Sequence, residues 1–158
     1  MNIPQKLSLF LLRLSMGWMM FYSGITKIVN SDWSSAGYIA NAKTFPGFYA
    51  IFLQTNVLPA VNFINEWGLT LLGVSLILGV FVRLSSLFGA SLMTLYYFPI
   101  LQFPHPNPHA YIVDEHIIYA LVLLFLAALK AGRFWGLEKW CSSLPLCVRF
   151  PRLRNWLG

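Results

Sequence analysis

Four apolar runs, each about as long as a membrane-crossing helix, constrain the fold more than any other feature of this chain. They cover residues 7–28, 63–82, 84–103 and 112–129. A helix of roughly 20 apolar residues crosses a hydrocarbon core of about 30 Å. With 58% hydrophobic and 10% charged residues, the chain has too little polar surface for a small soluble domain. The sequence therefore predicts an all-α integral membrane protein, a bundle of four transmembrane helices.

The distribution of lysine and arginine predicts the orientation of these helices. With the N-terminus inside the cell, nine basic residues lie on the cytoplasmic side and two, Lys27 and Lys43, lie outside. Short cytoplasmic loops are enriched in Lys and Arg, so both termini are expected in the cytoplasm of a multi-pass cell-membrane protein. The long outer loop between helices 1 and 2, residues 30–62, either lies in the membrane interface or folds over the mouth of the bundle.

The C-terminal segment differs in composition from the rest of the chain. Residues 1–140 form the predicted transmembrane domain, and residues 141–158 form a basic, aromatic tail suited to the cytoplasmic headgroup layer. The spacing of Cys141 and Cys147 matches no common zinc or redox motif. The net charge of +6 follows the topology, so the expected partner is the lipid bilayer and not nucleic acid. Association of identical chains is left open.

Small and charged residues share one stripe on each of the first two helices. The stripes consist of Arg13, Gly17, Gly24 and Lys27 on helix 1, and of Glu66, Thr70, Gly73, Ile77 and Arg83 on helix 2. Small residues let helix backbones approach closely, so the two stripes are expected to face each other. This arrangement predicts an ion pair of Lys27 with Glu66 at the outer end. It also brings Arg13 and Arg83 together at the inner end.

A cluster of ionisable residues gathers at the outer rim of the predicted bundle. Asp114, Glu115 and His116 open the fourth helix, at the same level as Lys27 and Glu66. Asp114 has a structural explanation as a helix N-cap, and Lys27 with Glu66 has one as a helix-fastening ion pair. Carboxylates and imidazoles at a membrane rim also move protons or bind metals. Metal binding is the weaker alternative, because no recognised ligand spacing is present, even with two further histidines upstream.

Aromatic residues near the outer end of the third helix have two interpretations. Tyr96, Tyr97 and Phe98 precede Pro99. Aromatic belts at membrane interfaces are common, and this is the favoured interpretation. The same rings are also suited to wall a binding site for a flat quinone ring.

Three motifs in this order resemble the DoxX and DoxD membrane proteins. They are LRLSMGWMMFYSGITK at 12–27, EWGLTLLGVSLILG at 66–79 with Arg83 after it, and DEHIIYAL at 114–121 followed by AGRFWGLE at 131–138. The similarity extends from about residue 7 to 140. Glu138 stands where the family usually has an aspartate.

The resemblance implies a function as well as a fold. DoxD is the small membrane subunit of thiosulfate:quinone oxidoreductase, which oxidises thiosulfate to tetrathionate and passes the electrons to membrane quinone, with DoxA as a soluble second subunit. On this basis a quinone is the expected electron acceptor. The sequence shows no flavin, haem or metal motif. The alternative is a non-catalytic DoxX-type partner or anchor for a soluble redox protein, so whether the chain is an enzyme is left open.

The candidate site follows from the rim cluster and the resemblance together. The candidate catalytic, proton-handling residues are Glu66, Asp114, Glu115 and His116. The candidate substrate-binding residues are Lys27, Trp67, Arg13, Arg83 and Tyr97. A dianion such as thiosulfate requires cationic or protonatable partners, which Lys27 and His116 supply. Reduction of a quinone requires protons, which the carboxylates relay.

Overall fold

The computed structural model of the chain describes residues 1–138, which form helices joined by turns, without a strand. The helices are α1 Ile3–Val29, α2 Ala36–Ala40, α3 Pro46–Ala50, α4 Leu58–Phe63, α5 Leu69–Leu78, α6 Val82–Ile100 and α7 Glu115–Ala128. Short 3₁₀ turns cover Ile51–Leu53 and Ala131–Arg133. The predicted all-α class is confirmed over this range. The predicted tail, with Cys141 and Cys147, lies outside the described residues.

One helix of this range is both long and apolar enough to cross a membrane. A π-helical turn, Ile64–Gly68, joins α4 to α5 without a break, and the combined helix Leu58–Leu78 has 21 residues with a mean hydropathy of 1.4. Helix α7 is apolar but has 14 residues. The other predicted spans coincide with α1, α6 and α7. A four-helix transmembrane bundle therefore stays a prediction.

The turn between α5 and α6 begins at Gly79. Gly79 ends α5 with a left-handed φ of +68°, a conformation that glycine adopts without steric cost. The connection consists of residues 79–81, and Arg83 lies inside the first turn of α6. Gly79 thus stops α5 before the second apolar run ends at residue 82.

Helices α1 and α5 pack closely through the predicted glycine stripes. A Cβ atom on Gly73 would lie 2.3 Å from the backbone N of Phe21, and one on Gly24 would lie 2.4 Å from the backbone N of Thr70. Glycine is required at both positions because the obstructing atoms belong to backbone. The predicted contact between the two stripes is confirmed. The core around this contact includes Leu9, Met16, Met20, Leu69, Leu72, Leu76, Leu123 and Leu126.

The long outer loop folds along the outer half of α6. Pro99 has no backbone N–H, so the carbonyl of Leu95 lacks its usual helical donor. The hydroxyl of Tyr49 donates to this carbonyl at 2.8 Å, and the hydroxyl of Tyr38 donates to the carbonyl of Tyr96. The backbone N–H of Lys43 donates to the carbonyl of Pro99 at 2.8 Å. The loop therefore packs against α6, and its predicted placement in the membrane interface or over the mouth of the bundle stays a prediction.

The outward faces of the long helices carry large apolar side chains. Trp18 on α1, Leu71 on α5 and Leu121 on α7 are about 60% exposed, at 62%, 60% and 58%. Leu84 and Phe88 on α6 are exposed by almost half. Apolar surface distributed over several helices in this way is typical of contact with lipid.

Candidate functional site

A cavity of about 310 Å³ lies where α1 ends and α7 begins, and we term it the polar pocket. Side chains from the outer ends of α1, α6 and α7, from the outer loop and from the π-helical turn meet there. Its lining consists of Ser23, Lys27, Trp33, Ser34, Ser35, Tyr38, Asn65, Tyr96 and His116. The convergence of Lys27 and His116 at one rim, expected from the sequence, is thus present in the structure.

Lys27 supplies the positive charge of the polar pocket. Its ammonium group donates to the carbonyl oxygen of Ser23 at 2.9 Å and to the Ser23 hydroxyl at 2.8 Å. The nitrogen also lies 5.4 Å from the centroid of the Trp33 ring, within the range of a cation–π interaction. These partners hold the ammonium group on its own helix and leave its charge without a carboxylate partner in the described part of the chain.

The predicted ion pair of Lys27 with Glu66 is not formed. The backbone carbonyl oxygen of Glu66 faces α1. A Cβ atom built on Gly24 of α1 would lie 2.9 Å from this oxygen. Glu66 is partly exposed and does not line the polar pocket.

Asp114 fixes both the start of α7 and the orientation of His116. Its Oδ1 accepts the backbone N–H groups of His116 at 3.0 Å and Ile117 at 3.3 Å, which confirms Asp114 as the N-cap. Its Oδ2 lies 2.7 Å from Nδ1 of His116. With Nδ1 held by the carboxylate, Nε2 is the ring nitrogen of His116 that is left for a ligand in the pocket. The ring also contacts Tyr96 edge to face at 6.2 Å.

A second cavity, the aromatic pocket, adjoins the polar pocket. It has about 150 Å³ and shares Ser35, Tyr38, Asn65 and Tyr96 with it. The remaining lining is apolar or aromatic and consists of Ile39, Tyr49, Phe52, Val61, Ile64, Leu92, Leu95 and Pro99. The shared residues therefore form a common wall between a cationic cavity and an apolar one.

Hydrogen bonds hold the common wall in place. The hydroxyl of Tyr96 donates to Oδ1 of Asn65, and Nδ2 of Asn65 donates to the carbonyl of Val61 at 2.8 Å. Burial raises the pKa of Tyr38 to about 12, so its hydroxyl stays protonated near neutral pH and continues to donate to the Tyr96 carbonyl. Asn65 is 7% exposed and lies in the π-helical turn, a type of turn that is frequent at functional sites.

The other predicted site residues lie outside the two cavities. Glu115 is exposed, and Trp67, 44% exposed, lines neither pocket. Tyr97 lines neither pocket and donates its hydroxyl to the carbonyl of Ile112, whereas its neighbour Tyr96 lines both. The roles predicted for Glu66, Asp114, Glu115, Trp67 and Tyr97 stay predictions.

Arg13 lies at the opposite end of the bundle and is fully buried. Its Nη1 donates to the carbonyls of Ala131 at 2.8 Å and Phe134 at 3.2 Å, and its Nη2 donates to that of Trp135 at 3.3 Å. These contacts attach the segment that follows α7 to α1. Arg83 lies at the same end of the bundle as Arg13, in the first turn of α6, and neither arginine lines the polar pocket.

Several lining residues were not expected from the sequence. Ser23 precedes Lys27 by one helical turn, a spacing at which their side chains meet, and this was an available signal. Ser34, Ser35 and Asn65 gave no such signal, because a loop fold and a π-helical turn bring them to the cavity. No group of metal-ligating side chains occurs within residues 1–138.

A comparison with protein families identifies the relatives of this chain. The sequence model of the DoxX family matches residues 8–102, which is more than half of the chain and extends from α1 to just beyond the end of α6. The chain belongs to the DoxX family. DoxX proteins are membrane-associated, in agreement with the apolar outer surface. Comparisons with curated proteins and with solved structures gave no match. Lys27, Asn65 and Tyr96 fall within the DoxX region, and His116 lies beyond it.

Proposed function

We propose that this DoxX protein is a DoxD-like redox subunit that transfers electrons from thiosulfate to a membrane quinone. The observation that carries the proposal is the common wall of Tyr38, Asn65 and Tyr96 between the polar and aromatic pockets. A small anion needs a polar, cationic pocket, and a flat apolar ring needs an apolar one. Electron transfer between the two ligands requires that these pockets adjoin. The two pockets offer both within one cluster of side chains.

In this proposal the polar pocket binds thiosulfate. The Lys27 ammonium group attracts the dianion, and the hydroxyl of Ser34 is a hydrogen-bond donor of suitable size for one of its oxygens. The carboxylate of Asp114, which contacts the lining residue His116, is occupied by that imidazole and by two backbone N–H groups. Repulsion of an anion by this carboxylate is therefore reduced.

The aromatic pocket binds the quinone ring in the same proposal. Two thiosulfate ions lose one electron each and join through a sulfur–sulfur bond to give tetrathionate. The quinone takes up these two electrons and two protons to give the quinol. His116, oriented by Asp114, passes protons toward the ring from Nε2. Tyr96 contacts the imidazole and places it next to the aromatic pocket.

The proposal also includes the predicted topology. Helices α1, α4–α5, α6 and α7 are proposed to cross the bilayer four times, with both termini in the cytoplasm and the polar pocket on the outer side. The exposed apolar side chains on all four support this arrangement, since they need lipid around them. An outer polar pocket gives a charged, water-soluble donor access without crossing the membrane.

The test uses the full chain in phospholipid nanodiscs, with and without a co-expressed soluble subunit. Thiosulfate-dependent reduction of a short-tailed quinone analogue is followed optically. We expect Lys27→Met to raise the KM for thiosulfate about tenfold, which corresponds to about 1.4 kcal/mol of lost anion binding. Lys43 lies in the outer loop that follows α1 and lines neither pocket. Lys43→Met is therefore the matched control and should leave the KM unchanged.

His116→Gln separates a proton-transfer role from a structural one. Glutamine keeps a hydrogen-bonding side chain but does not transfer protons, so kcat should fall while the melting temperature changes little. Absence of turnover under all conditions, together with co-purification of a soluble redox protein, would contradict the catalytic proposal and favour the non-catalytic partner. A Lys27→Met variant with unchanged KM would contradict the assignment of the anion site.

A further inference from the structure

A third cavity lies between α5 and α6, and we term it the α5–α6 groove. It has a volume of about 650 Å³. Its walls carry large apolar side chains that are each exposed by 41–60%, namely Leu71, Leu78, Phe81, Leu84 and Phe88. The groove is therefore open along the side of the protein where apolar surface is exposed, and its exposed rim requires an apolar occupant.

The polar atoms of the groove bond to one another. The hydroxyl of Ser75 donates to the hydroxyl of Ser85 at 2.7 Å, and the hydroxyl of Ser85 is 2.9 Å from the carbonyl of Phe81. These two serines are the hydroxyl-bearing side chains of the lining. Because both are satisfied within the protein, the groove offers a ligand little besides van der Waals contact. The groove is therefore suited to bind a hydrocarbon chain.

The α5–α6 groove and the aromatic pocket lie along the same seam between two helices. On α6, Leu84 and Phe88 line the groove, and Leu92, Leu95 and Pro99 line the aromatic pocket. These positions recur every three or four residues, so they share one face of the helix. From residue 81 to residue 99 the seam extends about 27 Å at 1.5 Å per residue, close to the thickness of a hydrocarbon core.

Gly68 lines the α5–α6 groove and lies next to Ile64 of the aromatic pocket. A Cβ atom at this position would lie 3.3 Å from the Phe88 ring, in the wall of the groove, and 3.7 Å from Cγ2 of Ile64, in the wall of the aromatic pocket. Neither contact is with backbone, unlike those of Gly24 and Gly73. Close helix packing therefore does not require glycine here, and a larger side chain at this position would stand between Phe88 of the groove and Ile64 of the aromatic pocket.

We propose that the α5–α6 groove binds the isoprenoid tail of a quinone whose ring lies in the aromatic pocket. This inference rests on the proposed function, because the ring pocket is the same. The tail leaves the ring past Gly68 and runs along α6 toward the inner side of the membrane, between Leu71 and Phe88. A tail in this position covers the exposed apolar rim, and the site accordingly prefers tailed quinones over their bare rings.

The test uses a quinone with a photoreactive diazirine at the end of its isoprenoid tail, added to the full chain in phosphatidylcholine nanodiscs. Cross-linked residues are located by mass spectrometry. We expect labelling between residues 71 and 88, and at least tenfold better competition by an unlabelled long-tailed quinone than by the same ring without a tail. Gly68→Leu places a larger side chain in the proposed path of the tail and should lower this labelling about tenfold.

Control variants separate the groove from general effects on the protein. Gly47→Leu is the matched control for Gly68→Leu, because a Cβ atom at Gly47 meets nothing within 4 Å. Leu84→Trp fills the groove from its exposed rim and should block labelling even where Gly68→Leu fails to fold. Leu121→Trp, on the exposed face of α7, should leave labelling unchanged.

Three outcomes would overturn the inference. These are labelling of Leu121 and Trp18 at the same yield as the groove, equal competition by tailed and tail-less rings, and cross-links between two copies of the chain. The first indicates bulk lipid contact, and the last indicates that the groove is an interface between copies. Labelling requires no turnover, so a failed thiosulfate assay with groove labelling contradicts the proposed function alone. Turnover with labelling elsewhere contradicts the tail inference alone.

Discussion

Replacement of Arg13 by methionine tests whether the buried arginine is a structural anchor or a substrate ligand. The guanidinium group makes three hydrogen bonds to carbonyls of residues 131–135, at 2.8, 3.2 and 3.3 Å. Hydrogen bonds of charged groups contribute about 1.5–3 kcal/mol each. Two of these three are long, so the lower value applies and the loss is about 4–5 kcal/mol.

Part of this loss is offset because methionine does not carry a charge into the protein. Arg13 is fully buried, and its Nε is without a hydrogen-bond partner among residues 1–138. Removal of a buried charge that is incompletely paired recovers desolvation free energy. The net expectation is that Arg13→Met lowers the free energy of unfolding by about 3 kcal/mol. Methionine keeps a similar length, so the lost hydrogen bonds dominate the change.

The assay is reversible unfolding in mixed micelles, followed by helical circular dichroism, together with limited proteolysis of residues 131–138. Arg13→Met should expose that segment to the protease, because its attachment to α1 is gone. Lys6→Met, an earlier basic residue of the same helix, is the matched control and should change stability by less than about 0.5 kcal/mol. A loss below about 1 kcal/mol for Arg13→Met would refute the anchor. If Arg13→Met leaves the stability unchanged but raises the KM for thiosulfate, the sequence-based prediction that Arg13 binds substrate is supported instead.

Three further predictions concern packing and topology. Gly73→Leu should lower the free energy of unfolding by at least about 2 kcal/mol in the same assay, because the added side chain meets backbone of α1, whereas Gly47→Leu should be neutral. Tyr49→Phe should cost about 1–2 kcal/mol, since it leaves a helix carbonyl without its donor. Single cysteines at Asn41 and Asn107, in a chain without its natural cysteines, should react with an impermeant reagent from outside; reaction only after permeabilisation would contradict the topology.

The sequence predicted the helical class and the α1–α5 contact because both depend on short-range periodicity. Apolar length specifies where helices form, and glycines in a stripe of residues spaced at three, four and seven positions specify which face of a helix permits close approach. Gly24 and Gly73 lie against backbone for this reason. The capping role of Asp114 was also readable, since an N-cap involves only the next three residues.

The same periodicity did not give the partners of the charged side chains. Lys27 and Glu66 lie at similar depth, yet Lys27 bonds to Ser23 and Glu66 presents its backbone to α1. Which of two neighbouring positions faces inward depends on a rotation of about 100° per residue. A π-helical turn changes this rotation locally, and it places Asn65 in the cavity.

The sequence by itself determined an apolar, helical DoxX chain with a cationic residue and a histidine at one rim. Only the tertiary structure decided that these two line a common cavity, that Tyr96 and not Tyr97 separates it from an aromatic pocket, and that Arg13 anchors the distant end. The physical reason is that helix formation and capping depend on neighbouring residues. Cavities arise where loop, π-helical turn and helix ends meet, and those contacts join residues up to 93 positions apart, as Ser23 and His116 are.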